Sequence, residues 1–600
     1  MIKETLEKNF YEYGHKDALG LHHLSVTYKD LEEKTRSILK SINDKDEKKK
    51  RVALLFDSII DCVYGIIASV RSRHVFVPLD QSEPLNQIRK YITFVQPNII
   101  ITDEKGLGIM NEILQGEYEA RKVEAYYYID FTTIHEVSLQ MNQDEAYIYF
   151  TSGTTGEPKG IIGRYESLYQ FIKWEIEELS IDSSWICGQC TLPTFDPFLR
   201  DIFVPLCAGA KVILAEKSTI KNPLKLKEWI TKYDVQVLHI IPSLFSSVIG
   251  TSNDETDLAN LRYLLFAGEP LKNYFVKKFY AFFENTEINF YNLYGPTETT
   301  LAKFYHKLKF EDSRKENIPV GKRINQETRV DILNEEGKPC TSDEIGEIYI
   351  NTQYGTLGYL NGDEQHRFCC DPKDSNRITF RTGDYGRINE EGDFEIYGRV
   401  DNQIKIRGKK IQPEEIEQRM IKFHNIDNAG VCCLTNEEGN NFLLCACIES
   451  SIEINQEELK KYLSEYLPEY KVPLLYVFIE KMPVNKNGKL DRIFIKKLLK
   501  DFYESRLAGT QEENRGNNTE DNNGKSVKEK ICEIILKITE IKITNQNMDT
   551  EIQLLFDSLN YVRFLVYMED EFDMEFSDEQ LDIGYFSTLE DVVQFIEEVD

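Results

Sequence analysis

Short apolar runs that alternate with helical periodicity constrain this chain more than any other feature. RVALLF (51–56) leads into SIIDCVYGIIASV, KVILAE (211–216) precedes LKLKEWITKY, and VQVLHII (235–241) follows it. Runs too brief for helices, separated by segments of 3.6-residue repeat, predict largely parallel sheets covered by helices over residues 1–400. Near Asp401 the pattern changes. QIKIRGKKI reads as paired short strands, PEEIEQRMIKF as a helix with Pro413 at its first position, and AGVCCL with FLLCACIES as strands about the turn EEGNN. Asn455, with Glu458 three residues on, caps NQEELKKYLSEYL. A small α+β unit over 401–503 is expected.

Residues 504–525 are almost devoid of apolar side chains and read as a flexible linker. Amphipathic helical patterns return over 526–600, where a small all-α helical bundle is expected. That stretch holds five basic against nineteen acidic side chains, a net of −14 within a chain total of −29.

Composition removes several function classes. Six hundred residues exceed what one core organises, so several domains are expected. A net charge of −29 argues against binding nucleic acid or an anionic membrane, both of which need basic patches. MIKETLEKNF has no apolar h-region and no stretch approaches 18 uninterrupted apolar residues, so the expected place is cytoplasmic. The twelve cysteines sit in apolar runs such as WICGQCTL and VCCL; they read as buried free thiols rather than zinc ligands.

YFTSGTTGEPKG (149–160) carries three glycines, four serine or threonine hydroxyls and one lysine at the end of the strand-like EAYIYF. Glycine allows close backbone approach, so successive N–H groups can converge on an anion. The alternatives are an acyl-serine site or a tight corner; the loop is neither GxxxxGK[ST] nor G-x-S-x-G. Four further segments mix glycine with phosphate- or Mg²⁺-competent side chains. They are YNLYGPTETT (291–300) with Tyr294 and Glu298, FRTGD (380–384) with Asp384, GRVDNQIKIRG (398–408) with Arg399 and Lys405, and PVNKNGKLDR (483–492) with Lys489.

In this order the segments resemble the adenylate-forming superfamily, specifically an adenylation domain of nonribosomal peptide synthetases. SVTYKDL (25–31), VFVPLD (75–80), GEIYI (346–350), GYL (358–360) and LPEYKVP (467–473) match further motifs, so the likeness covers about 1–500. The tail resembles a peptidyl carrier domain through LLFDSLNYVRF (554–564), with Leu555 and Phe556 where that family usually has a glycine before Asp-Ser. The resemblance implies a large adenylate-forming N-terminal subdomain (1–400), a small mobile C-terminal subdomain (401–503), a linker (504–525) and a carrier bundle (526–600).

It further implies activation of an amino acid by ATP as aminoacyl-AMP with release of pyrophosphate. The acyl group then passes to a phosphopantetheine thiol on the chain's own carrier domain. Thr151, Ser152, Gly153, Thr154, Thr155, Gly156 and Lys159 would hold the phosphates, Tyr294 would stack on adenine, and Asp384 would accept from the ribose hydroxyls. Asn292, Gly295, Thr297 and Arg399 complete the nucleotide set; Glu298 would hold Mg²⁺. Lys489 would bridge the substrate carboxylate and the α-phosphate, making Lys489, Glu298, Lys159 and Thr297 the catalytic group. Asp401 matches a hinge.

In FDPFLRD (195–201), Asp196 would pair with the α-ammonium of the amino acid, although Asp-Pro is also a helix N-cap with proline at N1. Pro197, Arg200, His239, Leu265, Ala267, Gly268, Leu293, Leu301 and Ala302 would line the remaining pocket. Arg200 and His239 are its polar outliers, suited to a polar or acidic side chain or to a neighbouring carboxylate. Ser558 would carry 4′-phosphopantetheine; Asp557-Ser558 is also an ordinary N-cap pair. Implied partners are a phosphopantetheinyl transferase and a condensation or other carrier-dependent enzyme in trans. His22-His23 lacks a following xxxDG and the chain ends at Asp600, which gives the expectation of a loading module. Two rival readings remain at this level: a coenzyme A ligase-like enzyme, and a non-catalytic scaffold with an acidic interaction tail.

Overall fold

The computed structural model describes residues 1–508 apart from 44–47, 116–117, 132–140, 152–158, 252–257, 285–286, 361–366, 372–373, 400–401, 436–440, 484–489 and positions 316, 335, 343, 407, 451, 453 and 480. Beyond these it describes 527–539, 548, 552–556 and parts of 561–599.

Among the described residues two large sheets dominate. One runs, in spatial order, Lys322–Arg323, Phe304–Lys307, Asn289–Tyr294, Tyr263–Phe266, Val237–Ile240, Ile186–Gln189, Lys211–Leu214, Asp17–Leu21 and Leu24–Thr27. Its centre is parallel, and antiparallel pairs close both edges. The other runs Ala120–Val123, Tyr126–Asp130, Ile99–Thr102, Arg51–Phe56, Val75–Asp80, Glu145–Thr151 and Lys159–Arg164, again parallel only in the middle. Arg51–Phe56 is buried along its whole length, which is why its sequence is a continuous apolar run rather than an alternating one. The helix after it, Ile59–Arg71, starts where the Ser58 hydroxyl accepts from the Asp61 amide at 3.4 Å.

The largest apolar cluster joins the two sheets through helices Ile59–Arg71, Tyr165–Leu179 and Pro197–Ala208. A second cluster fills the far face of the first sheet beneath helices Pro223–Lys232, Pro242–Gly250 and Asn273–Phe282. A third, antiparallel sheet is built from Thr328–Leu333, Gly346–Thr352, Phe368–Asp371, Asp374–Ile388 and Phe394–Arg399.

After these come the hairpin Ile404–Ile406/Lys409–Ile411, helix Pro413–Ile421 and the antiparallel pair Asn428–Thr435/Asn441–Glu449, as the sequence suggests. Asn455 accepts from the amides of Glu457 (3.0 Å) and Glu458 (3.3 Å) at the start of helix Gln456–Ser464. Leu475–Ile479 joins this pair as a parallel third strand, which local pattern did not reveal. The putting-together of the tail is apolar: helices Val527–Thr539 and Leu589–Val599 share a cluster with Ile552, Tyr561 and Phe564. Asp401, Asp557 and Ser558 lie outside the described residues. No helix among the described residues is long and apolar enough to cross a membrane.

Candidate active site

The site is organised by the loop that follows strand Asn289–Tyr294. A Cβ on Gly295 would stand 2.1 Å from the Leu301 carbonyl oxygen, so only glycine lets this loop fold back on itself. The return closes where the Lys303 amide donates to the Tyr294 carbonyl at 2.8 Å. Thr300 and Leu301 both have positive φ, 68° and 54°, a backbone that side chains with a Cβ rarely adopt. Strain of this kind persists where surrounding contacts hold it, and three side chains of the loop are indeed held.

Tyr294 donates from its hydroxyl to Asp384, whose other oxygen accepts from Arg399 Nη1 at 2.6 Å. Burial and the Asp384 charge push the Tyr294 phenol well above its ordinary value. Thr297 donates to Asp196 Oδ1 at 2.9 Å. Glu298 accepts at Oε1 from the Tyr359 hydroxyl at 3.1 Å, and its carbonyl accepts from Thr356 Oγ1 at 2.6 Å. Glu298 Oε2 is buried and accepts no hydrogen bond among the described residues; Lys410 Nζ of the hairpin stands 3.6 Å away. Burial raises the Glu298 carboxyl, but Lys410, Tyr359 and Arg367 outweigh it and hold the group below its ordinary value.

Thr151 and Lys159 are direct partners across an antiparallel pair, so they flank the loop whose residues Ser152, Gly153, Thr154, Thr155 and Gly156 lie outside the described set. Lys159 is buried, with Nζ 6.0 Å from the Tyr359 ring, which brings it to the Glu298 side of the site. Lys489 also lies outside the described residues. From the residues after 401 the structure brings Lys410 and Lys405 to the site; burial lowers the Lys405 amine to about 8, against the opposing charge of Asp384. Asn292 donates its side-chain amide to the Pro319 carbonyl at 2.9 Å.

Asp196 occupies the N-cap position of helix Pro197–Ala208, with Pro197 at N1, yet its side chain makes no capping bond. It turns instead to Thr297, and burial raises its carboxyl above the ordinary value. His239 and Leu265 are side by side on neighbouring strands, and Leu293 lies on the next strand over. Ala267 and Gly268 follow strand Tyr263–Phe266, and Leu301 and Ala302 are buried in the strained loop.

His239 stands between two carboxylates, Nε2 at 3.0 Å from Glu175 Oε1 and Nδ1 at 3.3 Å from Asp201 Oδ1. Asp201 Oδ1 also lies 3.5 Å from Arg200 Nε. Burial and the Arg200 charge push the imidazole down, but Glu175 and Asp201 outweigh them, and it rests above its ordinary value. Glu175 and Asp201 were not among the expected site residues. The signal for Glu175 was a carboxylate on the apolar stripe Leu168–Phe171–Glu175–Leu179, all buried. Lys303, fully buried, was also missed; it interrupts the apolar stretch around LAKFY. Among the described residues no group of three or more His, Cys, Asp or Glu could hold a metal ion. The described cysteines are free, and most are buried.

Residues 6–360 match the family described as AMP-binding enzyme. Bacitracin synthase 1 of Bacillus licheniformis is 30% identical over 500 residues, covering 82% of this chain and 9% of that protein. Gramicidin S synthase 2 of Brevibacillus brevis is 28% identical over 480 residues, covering 78% of this chain and 10% of that protein. The chain thus spans about a tenth of the length of these relatives. Among solved structures, the Vibrio cholerae adenylation domain AlmE in complex with glycyl-adenosine-5′-phosphate superposes with a TM-score of 0.72 at 21% identity, covering 83% of this chain and 98% of that one. Holo-PA1221, a nonribosomal peptide synthetase protein containing adenylation and carrier domains, gives 0.77 at 20% identity, covering 100% and 96%. At that identity the likeness speaks for the fold.

Proposed function

The chain belongs to the AMP-binding enzyme family, and from that premise we propose that it activates an amino acid with ATP and passes the acyl group to a thiol on its own C-terminal region. One observation carries this reading. A single strained loop ties Tyr294 to Asp384, Thr297 to Asp196 and Glu298 to Tyr359, so the proposed nucleotide and ammonium subsites would share one backbone.

The substrate carboxylate is already an anion at neutral pH, so no general base is required. One of its oxygens attacks the α-phosphorus of ATP, a new P–O bond forms, and the α,β-bridging bond breaks to release pyrophosphate. Asp384, held by Tyr294 and Arg399, keeps acceptor capacity for ribose hydroxyls. Asp196 neutralises the α-ammonium. Adenylate-forming enzymes use Mg²⁺, and a buried carboxylate oxygen without a hydrogen-bond donor, Glu298 Oε2, suits a hard cation. Mg²⁺ there would offset charge on the phosphate oxygens. Lys489 is proposed for the same charge from the carboxylate side, by resemblance. Ser558 is proposed to carry phosphopantetheine, which supplies the accepting thiol.

The test is amino-acid-dependent ATP–pyrophosphate exchange by the full chain. Exchange above background with at least one amino acid is expected, and Glu298→Gln should lower it on the order of 10²–10³-fold. Exchange only with carboxylic acids that lack an ammonium, and efficient transfer to free coenzyme A, would replace this reading with a coenzyme A ligase.

A further inference from the structure

The polar end of the proposed pocket is a line of alternating charges. Glu175 meets His239, His239 meets Asp201, and Asp201 meets Arg200. Glu175 is 0%, Asp201 2%, His239 4% and Arg200 5% exposed, so water supplies little to any of them. Each of the four has an opposite charge within 3.5 Å. Arg200 ends the line: its Nε is sealed without a hydrogen-bond partner among the described residues, as are both carboxylate oxygens of Glu175 and of Asp201, and its ion-pair partner is Asp201 Oδ1 at 3.5 Å. A guanidinium carries five donors and cannot discard its proton, so one placed in a buried setting gains from each acceptor supplied to it.

Arg200 follows Asp196 by one helical turn on Pro197–Ala208, which sets their Cβ atoms about 5–6 Å apart on the same face. Asp196 is spoken for by the substrate's ammonium in the proposed function, and the substrate's α-carboxylate must face the nucleotide. What remains to fill Arg200 is the substrate's own side chain. A neutral apolar side chain would supply the guanidinium with no acceptor in the bound state. A carboxylate would supply two oxygens in the planar geometry that a guanidinium matches with paired hydrogen bonds. Lys303, fully buried and donating to the Thr300 carbonyl at 2.9 Å, adds an amine that interacts with the Asp196 charge, although burial lowers it to about 7.

We infer that the pocket selects an acidic amino acid, with its α-ammonium on Asp196 and its side-chain carboxylate on Arg200 as the fifth member of the charge line. This rests on the amino-acid-activating reading above and narrows it. The experiment is pyrophosphate exchange by the full chain with L-aspartate, L-glutamate, L-asparagine, L-glutamine and L-leucine. L-Aspartate or L-glutamate should give the highest kcat/KM. Arg200→Leu should lower that value on the order of a hundredfold and move the acidic-to-leucine preference ratio towards leucine. Protection of the wild-type chain against thermal unfolding by the same five amino acids gives a second readout that needs no variant; the acidic ones should raise Tm most. Preference for an amide or for leucine in the wild-type chain, or an equal loss for all substrates in Arg200→Leu, would overturn the inference while leaving amino-acid activation intact. Exchange with no amino acid would overturn both.

Discussion

At the scale of single residues, two buried charges in the site make opposite statements about stability and function. Asp196 is held above its ordinary value by burial, with the Thr297 hydroxyl hydrogen-bonded to it. Asp196→Asn should therefore raise KM for the amino acid strongly and lower kcat/KM on the order of 10²–10³-fold, because the ammonium loses its counter-charge, while Tm does not fall. Unchanged KM together with a lower Tm would return Asp196 to a structural role at the helix start. Lys303 is the second case. Burial lowers its amine from 10.5 to about 7. The unfolded chain then binds more protons than the folded one between those values, so stability rises with pH across that window. The burden of the buried amine is complete below about 7 and fades towards the ordinary lysine range. Lys303→Met should raise Tm by a few degrees at pH 6, and the gain should shrink as the pH is taken towards about 10. Calorimetric unfolding of both proteins at the two ends of the window decides it: a gain independent of pH would mean that the lysine is not buried as a charge.

At the scale of elements, the hairpin Ile404–Ile406/Lys409–Ile411 is the piece that reaches into the site. Its turn residue Gly408 has φ +74°, donates its amide to Glu269 Oε1 at 3.1 Å, and would bring a Cβ to 3.1 Å from Ile241 Cγ2. Glu269 Oε2 also accepts from the Ser243 amide at 3.4 Å, and Lys410 stands beside Glu298. The loop proposed for adenylation through Lys489 is a different one, and we propose that the seated hairpin serves the later, thiol-accepting step. Gly408→Ala adds about 1–2 kcal/mol of backbone strain at a left-handed position. It should slow acyl transfer about tenfold and leave pyrophosphate exchange near wild type; equal losses in both half-reactions would remove the hairpin from that assignment. Much of this element was legible in QIKIRGKKI, because a short period-2 pattern about a glycine says hairpin. Its docking was not, since Glu269 and Ser243 are far away in sequence and carry no local pattern. The same division runs through the fold. Buried strands such as Arg51–Phe56 announce themselves by apolar runs, whereas the placement of Asp17–Leu21 beside Lys211–Leu214 depends on long-range pairing. In the site, residue types at Tyr294, Glu298, Asp384 and Arg399 pointed to nucleotide chemistry, but the bond from Tyr294 to Asp384 needed the fold. Glu175 and Asp201 were hidden because each interrupts an apolar helix face, where a charge reads as noise until its partner His239 is seen across the layer.

At the scale of the whole molecule, the proposed function separates two kinds of chemistry along the chain. Every described group proposed for the nucleotide and the amino acid lies before residue 411, while the acidic stretch 526–600 holds the one serine proposed for the thiol carrier. The two half-reactions should accordingly come apart by substitution. Ser558→Ala should exchange pyrophosphate at the wild-type rate, because no atom of Ser558 is needed to break the α,β bond of ATP. The same variant should gain no pantetheine mass when treated with a phosphopantetheinyl transferase and coenzyme A, and should retain no radiolabelled amino acid after acid precipitation. The wild-type chain should do both, and thioester linkage makes its label labile to hydroxylamine. Label retained by Ser558→Ala would place the acceptor elsewhere in the chain. Loss of exchange in that variant would mean that the tail takes part in adenylation itself, and the division of labour between a nucleotide-binding body and an acyl-carrying tail would fall.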